Sequence, residues 1–565
     1  MGDILIKGGT VLDGTGEPRY EADILVRDSQ IEEIGKGLST TGETIDASGL
    51  FVTPGIIDPH THLDGQLMWE PRGSSSSWHG VTTVLMGNCG YTLAPVKEAD
   101  RDYIIHMFGQ VEEIAPKIFQ ENLPWDWVTT AEYLDSMDKG LGVNAVTMVG
   151  HSTLRYYVMG QDALDRAATE SEITEMRQVL HDSVEAGAFG LTTSRAPSHF
   201  GWRGEPVPSR QATPEELYAL ADELKALNAT AMGLIPQGLF AGMSPEDKDL
   251  IFNLAKRSGT TIQLNGVSNS DAWEFMAESR KKGAEIYGVM GSQPFYKIFS
   301  INSGTTTFNS MDTWFDIMGK TPEERRARFG EASIRQQLRD EVDAEAGMDA
   351  RNMRRPRIVW DQFTVHKAAT RENEGLNGKS IPQLSKKLGK HKADVLLDLA
   401  LSEGGETMFE MRFVPEDKWL ADESKGPLLN HPHVSPMNSD AGAHIASECK
   451  SGEASYFLKK WVLENEAMDL EHGIKKVTGD HARWIGLKDR GELKVGKKAD
   501  IAVFDIEKLE THPKEPVQDL PGGSTRWVQN ADGVEHVLVN GKRTIKHGRE
   551  TGELPAVVLR SNWYR

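Results

Sequence analysis

Cysteine is almost absent. Cys89 and Cys449 are the only two in 565 residues, which excludes a disulfide-built scaffold and points to a reducing compartment. Positive charge is also short: 63 Lys and Arg face 84 Asp and Glu, a formal net charge of −21 that repels phosphate backbones and anionic lipid. Nucleic acid and membrane surfaces are therefore not expected partners. No long apolar run occurs, because the uncharged stretches 74–96 and 226–245 are interrupted by Ser, Asn, Gly, Gln and Pro. The first residues lack a basic segment followed by an apolar one, and Ile6 stands where a myristoylation signal needs Ser or Thr, so the cytoplasm is the expected compartment. What is present is the composition of a folded protein, 38% apolar and 26% charged with 13 Trp and 18 Phe. A packed enzyme or binder of small molecules remains.

Residues 4–45 alternate short apolar runs with Gly-Gly, Asp-Gly and Asp-Ser turn signals, the grammar of small antiparallel strands. The same grammar returns in Ala499 to Phe504, Val534 to Gly541 and Ala556 to Arg560. Between these ends strand and helix patterns alternate eight times, which predicts βα units and a parallel sheet. The predicted strands are Phe51 to Asp58, Val81 to Cys89, Asn144 to His151, Ala188 to Arg195, Ala229 to Gln237, Thr260 to Ser268, Ala284 to Gln293 and Val434 to Asp440. Most are apolar on both faces, as strands buried under helices are. Pro214 to Asn228 reads as a helix with Leu217, Leu220, Leu224 and Leu227 on one stripe and a capping box at Thr213 to Glu216; Ser244-Pro245-Glu246-Asp247 opens the next helix in the same way. A long insertion, residues 301–430, precedes the eighth strand and carries a charged helical run from Pro322 to Arg357, the kind of element that covers a pocket. The expected fold class is α/β, a (β/α)8 TIM barrel; a doubly wound open sheet is disfavoured because no Gly-rich phosphate loop follows the first strand.

Barrel chemistry sits at the C-terminal strand ends. Strand one ends in Asp58-Pro59-His60-Thr61-His62, and because residues two apart share a face, His60 and His62 can grip one metal ion. Hydrogen-bonded histidines are the plainer reading of the pair. Cys89, in Gly87-Asn88-Cys89-Gly90 at the end of strand two, reads either as a small buried hydrophobe or as a soft ligand or reactive thiolate. Asp440, in Asn438-Ser439-Asp440-Ala441-Gly442, can bind a metal through one oxygen and exchange a proton with water through the other, or cap a helix. Cys449 has no such context and reads as packing.

Thr53 to Asp64, His79 to Gly90, His151 to Arg155, Ser439 to Gly442 and the tail from Leu487 through Asp500 together resemble the amidohydrolase superfamily, and within it the D-aminoacylase (N-acyl-D-amino-acid deacylase) branch, over nearly the whole chain. The resemblance implies a metal-dependent barrel, residues 55–484, that hydrolyses an amide or related C–N bond, with a small β-sandwich built from both chain ends, residues 1–54 and 485–565. It implies His60 and His62 as strand-one ligands, Cys89 as the strand-two ligand and Asp440 as ligand and acid/base. The sequence also departs from the family. Members of known activity carry histidines at the ends of strands five and six, and D-aminoacylases a lysine beside the latter for the substrate carboxylate. Here no histidine lies between His199 and His366, and those strands present Gln237, Asn265 and Asn269. A carboxylated strand-four lysine is missing too, since no lysine lies between Lys139 and Lys225.

A mononuclear site of His60, His62 and Asp440 with Cys89 as a further ligand is therefore expected, with zinc suited to the mixed donors. His151 and His199, at the ends of strands three and four, are candidates for a compensating or substrate-binding role, and Arg155 and Arg195 for clamping an anionic group, the alternatives being loop hydrogen bonds and structural ion pairs. The expected function is hydrolysis of an amide, cyclic amide or related acyl compound other than an ordinary N-acyl-D-amino acid. A metal-assisted lyase or isomerase step on the same fold, and a barrel that binds a ligand without turnover, are the alternatives.

Overall fold

The computed structural model describes residues 2–238, 242–266, 270–349 and 353–564. Both ends of the chain build one nine-stranded sheet. Ile4–Val11 pairs antiparallel with Tyr20–Arg27 and parallel with Glu43–Asp46 and Phe51–Pro54; the last of these pairs with Ile501–Phe504 from the far end of the sequence. Gln30–Gly35, paired antiparallel with Tyr20–Arg27, and Val534–Val539, Lys542–Lys546 and Arg549–Glu550 complete it. Alternation along these strands gathers Ile6, Ile24, Val52, Ile501 and Leu538 into one buried cluster. The strand predicted at Ala556 to Arg560 does not join this sheet. Its Ala556 and Val558 bridge to Leu141 and Ala145, so its exposed backbone groups are satisfied beside a parallel strand instead.

The eight parallel strands follow in the predicted order, each shorter than its apolar run: Ile56–Asp58, Val81–Met86, Asn144–Thr147, Gly190–Ser194, Ala231–Ile235, Thr261–Asn265, Ile286–Val289 and Val434–Ser435. The run read as one strand from Phe51 to Asp58 is divided at Gly55, with Phe51–Pro54 serving the terminal sheet and Ile56–Asp58 the parallel one. Glycine is required at the division, because a Cβ on Gly55 would stand 2.2 Å from Thr82 Oγ1. The first three strands form one arc; Val149–Gly150, which continues the third, begins a second arc through the remaining five. The arcs meet at both ends, where Met148 N bonds Met86 O and Thr61 bridges in parallel to Ala441. The second meeting sets the ends of the first and eighth strands side by side.

Pro214–Ala226 buries Leu217, Leu220 and Leu224 as its spacing predicts. Thr213 accepts from Glu216 N, but the reciprocal half of the predicted capping box does not form, because the Glu216 side chain turns inward to other partners. Pro245–Ser258 starts from Ser244, whose hydroxyl accepts from Asp247 N. The inserted segment makes its own three-stranded sheet, Tyr296–Phe299, Phe363–Lys367 and Met408–Arg412, around an apolar cluster that includes Phe299, Phe308, Trp314 and Phe409. This sheet begins before residue 301. The charged run read as helix from Pro322 to Arg357 is helical in Pro322–Gly330 and Ala332–Ala344, then ends in the short turn Glu345–Gly347. Residues 353–359 are irregular, consistent with Gly347 and Pro356 interrupting the pattern. Among the described residues no helix is long and apolar enough to cross a membrane.

Candidate metal centre

The C-terminal strand ends surround a cavity of about 340 Å³. His60 and His62 reach it from the turn after Ile56–Asp58, and each is 2% exposed. Their backbone is pinned on both sides: His60 N donates to Asp58 Oδ1, His62 N to Ala441 O, and Asp440 N to His60 O. Cys89 arrives on a tight turn in which Gly87, Cys89 and Gly90 all have positive φ. A Cβ on Gly87 would lie 2.3 Å from Met148 O, so only glycine allows this approach. Asp440 also has a positive φ, 46°. With His444, φ 53°, three non-glycine residues held left-handed at one cavity concentrate backbone strain at the site.

Cys89 Sγ lies 3.5 Å from His60 Nε2 and 3.6 Å from His62 Nε2. Asp440 Oδ1 lies 3.0 Å and 3.9 Å from the same two nitrogens. The ligand atoms of His60, His62 and Cys89 all fall within 4.8 Å of one another. Bonds of about 2.0 Å to nitrogen and about 2.3 Å to sulfur, at tetrahedral angles, separate the two ligand atoms by about 3.5 Å. The spacing of these three donors fits one tetrahedral ion, with Asp440 Oδ1 beside the remaining position.

The charge states agree with that use. Burial, reinforced by the neighbouring His60, holds His62 well below the ordinary histidine range, so its imidazole is neutral. Burial and the carboxylates of Glu112 and Asp440 push the Cys89 thiol well above its usual value. A thiolate is therefore stable there only with a cation beside it. Burial opposes charge on Asp440, but the Lys450 ammonium and the hydrogen bond from His60 outweigh it and hold the carboxyl well below the usual range. Behind the site, burial raises Asp58 to about 6 and Asp64 to about 7.

The structure brings His60, His62, Cys89 and Asp440 together, and His199 joins them on the cavity wall, 8% exposed and pushed down to about 3 by burial. It does not bring the other candidates there. His151 and Arg155 are fully buried and spent on one carboxylate: His151 Nε2 is 2.7 Å from Glu216 Oε1, and Arg155 pairs with Glu216 Oε2. Arg195 points toward Asp247, 4.0 Å away. Gln237 is exposed, Asn265 lines the cavity, and Asn269 lies outside the described residues. Cys449 is buried against Ser75 Oγ, as a packing residue should be.

Several cavity residues carried no sequence signal. Glu112, at the end of the helix Arg101–Glu112, places Oε1 3.7 Å from His62 Nδ1, and burial raises its carboxyl well above the usual range. Lys297 and Arg355 come from the inserted segment, and His444 from the loop after Asp440. Glu112, Lys297 and Arg355 reach the cavity through packing of elements away from the strand ends, so position along the chain does not announce them, whereas His444 follows Asp440 in the same strand-end loop.

The chain matches a family model described as the amidohydrolase family over residues 43–545. It is 37% identical over 577 residues to the N-acyl-D-aspartate deacylase of Alcaligenes xylosoxydans xylosoxydans, covering 99% of this chain and 95% of that protein. The D-aminoacylase of the same organism is 27% identical over 570 residues, covering 99% and 97%. The crystal structure of an N-acyl-D-glutamate deacylase from Bordetella bronchiseptica, complexed with zinc and a phosphonate inhibitor, shares the fold with a TM-score of 0.65 at 22% identity, over 99% of each chain.

Proposed function

We propose a function from one premise: this chain belongs to the amidohydrolase family. It is a hydrolase acting on carbon–nitrogen bonds other than peptide bonds. The reaction we infer is divalent-metal-dependent cleavage of an acyl C–N bond in a small molecule. We read the ring of strands as a (β/α)8 barrel over residues 55–484, flanked by a β domain from residues 1–54 and 485–565, with the inserted segment as its lid. The observation that carries the reading is the convergence of His60 Nε2, His62 Nε2, Cys89 Sγ and Asp440 Oδ1 in one buried corner.

His60, His62 and Cys89 would hold the ion, with Asp440 beside them. Bound there, a divalent ion, zinc by the donor set, supplies Lewis acidity to the scissile carbonyl and makes water easier to deprotonate. Asp440 does the proton work. Lys450 Nζ holds its Oδ2 at 3.1 Å, which keeps the carboxylate charged and leaves Oδ1 toward the cavity to take a proton from the attacking water and return it to the leaving nitrogen. Val111, Ile235, Phe295, Met411 and Phe413 supply apolar walls that exclude bulk water. Ile235 at the end of the fifth strand offers no ligand and Asn265 at the end of the sixth only an amide, which supports one ion rather than two.

Arg355 supports an anionic substrate. Its guanidinium lines the cavity, and among the described residues no carboxylate pairs with it; its side chain reaches only the Val111 carbonyl, at 3.5 Å. Such a group selects a carboxylate or similar anion. We read Arg355 as the anion-binding group in place of Arg155 and Arg195, so the substrate is an acyl or cyclic amide carrying a negative group toward the lid. The name of the 37% identical relative, N-acyl-D-aspartate deacylase, supports the same direction. Incubation in H₂¹⁸O with N-acyl-D-amino acids, which are anions, beside their uncharged carboxamides and uncharged cyclic amides tests this reading. Faster amine release from the anionic compounds, with one ¹⁸O in the acid product, is expected. Preference for neutral compounds would refute the anion site, and release without label would refute hydrolysis.

A further inference from the structure

We infer that Gln263 and Asn265 are positioning residues that let His60 exchange tautomers: Asn265 receives the Nδ1 proton when Nε2 faces a metal, and Gln263 donates to Nδ1 when Nε2 donates to Asp440. The inference rests on the metal reading above. The two residues lie two apart on Thr261–Asn265 and therefore share its inward face. Both are buried, and both approach the same ring nitrogen: Asn265 Oδ1 is 3.1 Å from His60 Nδ1, and Gln263 Nε2 is 3.2 Å from it.

The orientation of the Gln263 amide is fixed from two sides. Tyr287 OH donates to Gln263 Oε1 at 2.6 Å, and the Tyr287 ring is stacked on Trp484, which holds the hydroxyl in place. Asn88 commits its Nδ2 to the carbonyls of Thr61 and Leu85, so its Oδ1 is left to accept, and it faces Gln263 Nε2 at 3.2 Å. Nε2 is therefore the donor end. Asn265 Oδ1, 3.0 Å from that donor, is the acceptor end of its own amide.

His60 Nδ1 thus faces a fixed donor and a fixed acceptor at nearly equal distance. The two Gln263 hydrogens have three acceptors within reach, Asn88 Oδ1, Asn265 Oδ1 and, when it is bare, His60 Nδ1. With Nδ1 protonated, His60 donates to Asn265, Gln263 serves the two amide oxygens, and Nε2 is left as a lone pair facing Cys89 Sγ. With Nε2 protonated, that hydrogen lies on Asp440 Oδ1 at 3.0 Å and Gln263 satisfies Nδ1. Neither state leaves Nδ1 buried without a partner. His62 lacks such a pair: among the described residues its Nδ1 has no hydrogen bond, and Glu112 Oε1 lies 3.7 Å from it.

Zinc affinity of the full chain, measured by competition with a chromophoric chelator, tests the inference. Asn265→Leu removes the acceptor and is expected to weaken zinc about 10- to 100-fold, the usual effect of losing a partner behind a ligating histidine. Asn265→Asp keeps an acceptor of the same shape and is expected to bind at least as tightly as the wild type. Gln263→Glu keeps the Tyr287 bond, replaces the competing donor with an acceptor, and is likewise expected to bind no more weakly. Asn265→Leu within twofold of wild type overturns the inference, as does a tenfold loss in Asn265→Asp or Gln263→Glu. If Asn265→Leu does not fold, the other two variants decide. A wild-type chain that takes up no zinc overturns the metal reading and this inference with it, whereas zinc binding unaffected by Asn265→Leu overturns only the tautomer role.

Discussion

Replacing Glu113 with glutamine should loosen the inserted segment over the cavity by about 3–5 kcal/mol, and adding Lys297→Met should restore most of that loss. Glu113 follows the helix Arg101–Glu112 in a left-handed conformation, φ 53°, which turns its carboxylate under the insertion. Oε2 accepts from Lys297 Nζ at 2.6 Å and from His444 Nδ1 and Ser447 Oγ at 3.0 Å, and Oε1 accepts from Thr306 N at 2.6 Å. The Lys297 and Glu113 side chains are only 3% and 7% exposed. Burial opposes the charge on Glu113, but Lys297 outweighs it and holds the carboxyl well below the usual range. At 2.6 Å the attraction is about 6 kcal/mol at an effective dielectric of about 20, much of it offset by desolvation of both ions. Glutamine keeps the shape and leaves a buried ammonium without its counter-charge; methionine at 297 then removes that ammonium. Because the insertion has its own core, global unfolding need not be two-state, so amide exchange over residues 296–308 is the appropriate assay. The opening free energy there should fall in Glu113→Gln and recover to within about 1 kcal/mol in the double variant. Equal loss in both would show that Glu113 acts through Thr306, His444 and Ser447 rather than through the ion pair, and the reasoning would be wrong.

Arg355→Leu should raise KM for an anionic substrate roughly 10- to 100-fold while leaving kcat largely intact, since a hydrogen bond to a charged group is worth about 1.5–3 kcal/mol; an equal effect on a neutral substrate would contradict the anion role. Lys450→Met removes the cation that lowers Asp440, so the acid limb of the kcat/KM profile should move to higher pH, and an unmoved limb would count against Asp440 as the base. Burial raises Glu453 from 4.5 to about 7, so the folded chain keeps a proton there that the unfolded chain has lost. Its contribution to stability therefore falls as pH rises from about 4.5 to about 7 and is flat above. Glu453→Gln should flatten that slope and gain on the order of 3 kcal/mol above pH 7, read from denaturation at several pH values.

The strand order and the pairing of His60 with His62 were legible because both follow from local pattern, whereas Cys89 became a ligand candidate over a buried hydrophobe only through the family resemblance. A two-residue spacing at a strand end determines that His60 and His62 share a face, and a glycine-flanked Cys89 after the next strand reaches the same corner through the parallel register of Ile56–Asp58 and Val81–Met86. Asp440 was legible for the same reason, since the ring of strands closes at Thr61 and Ala441. The cations were not. Arg155 follows a strand end like a site residue but is neutralised by Glu216, a helix-start glutamate whose predicted capping role would have turned it outward. Arg355 and Lys297 belong to a unit with its own core, and only its docking brings them to the cavity. Glu113 ends its helix in a left-handed turn without the Gly or Asn that usually marks one, so neither its position nor its partners could be read ahead.

The most direct test of the account is metal content, by plasma mass spectrometry, of untagged wild-type chain beside a His60→Ala, His62→Ala double variant. One equivalent of zinc or another divalent ion in the wild type, lost in the variant, is the predicted result. Two equivalents would contradict the single-ion site, and a wild-type chain that neither carries nor takes up a divalent ion would contradict the metal-dependent mechanism altogether.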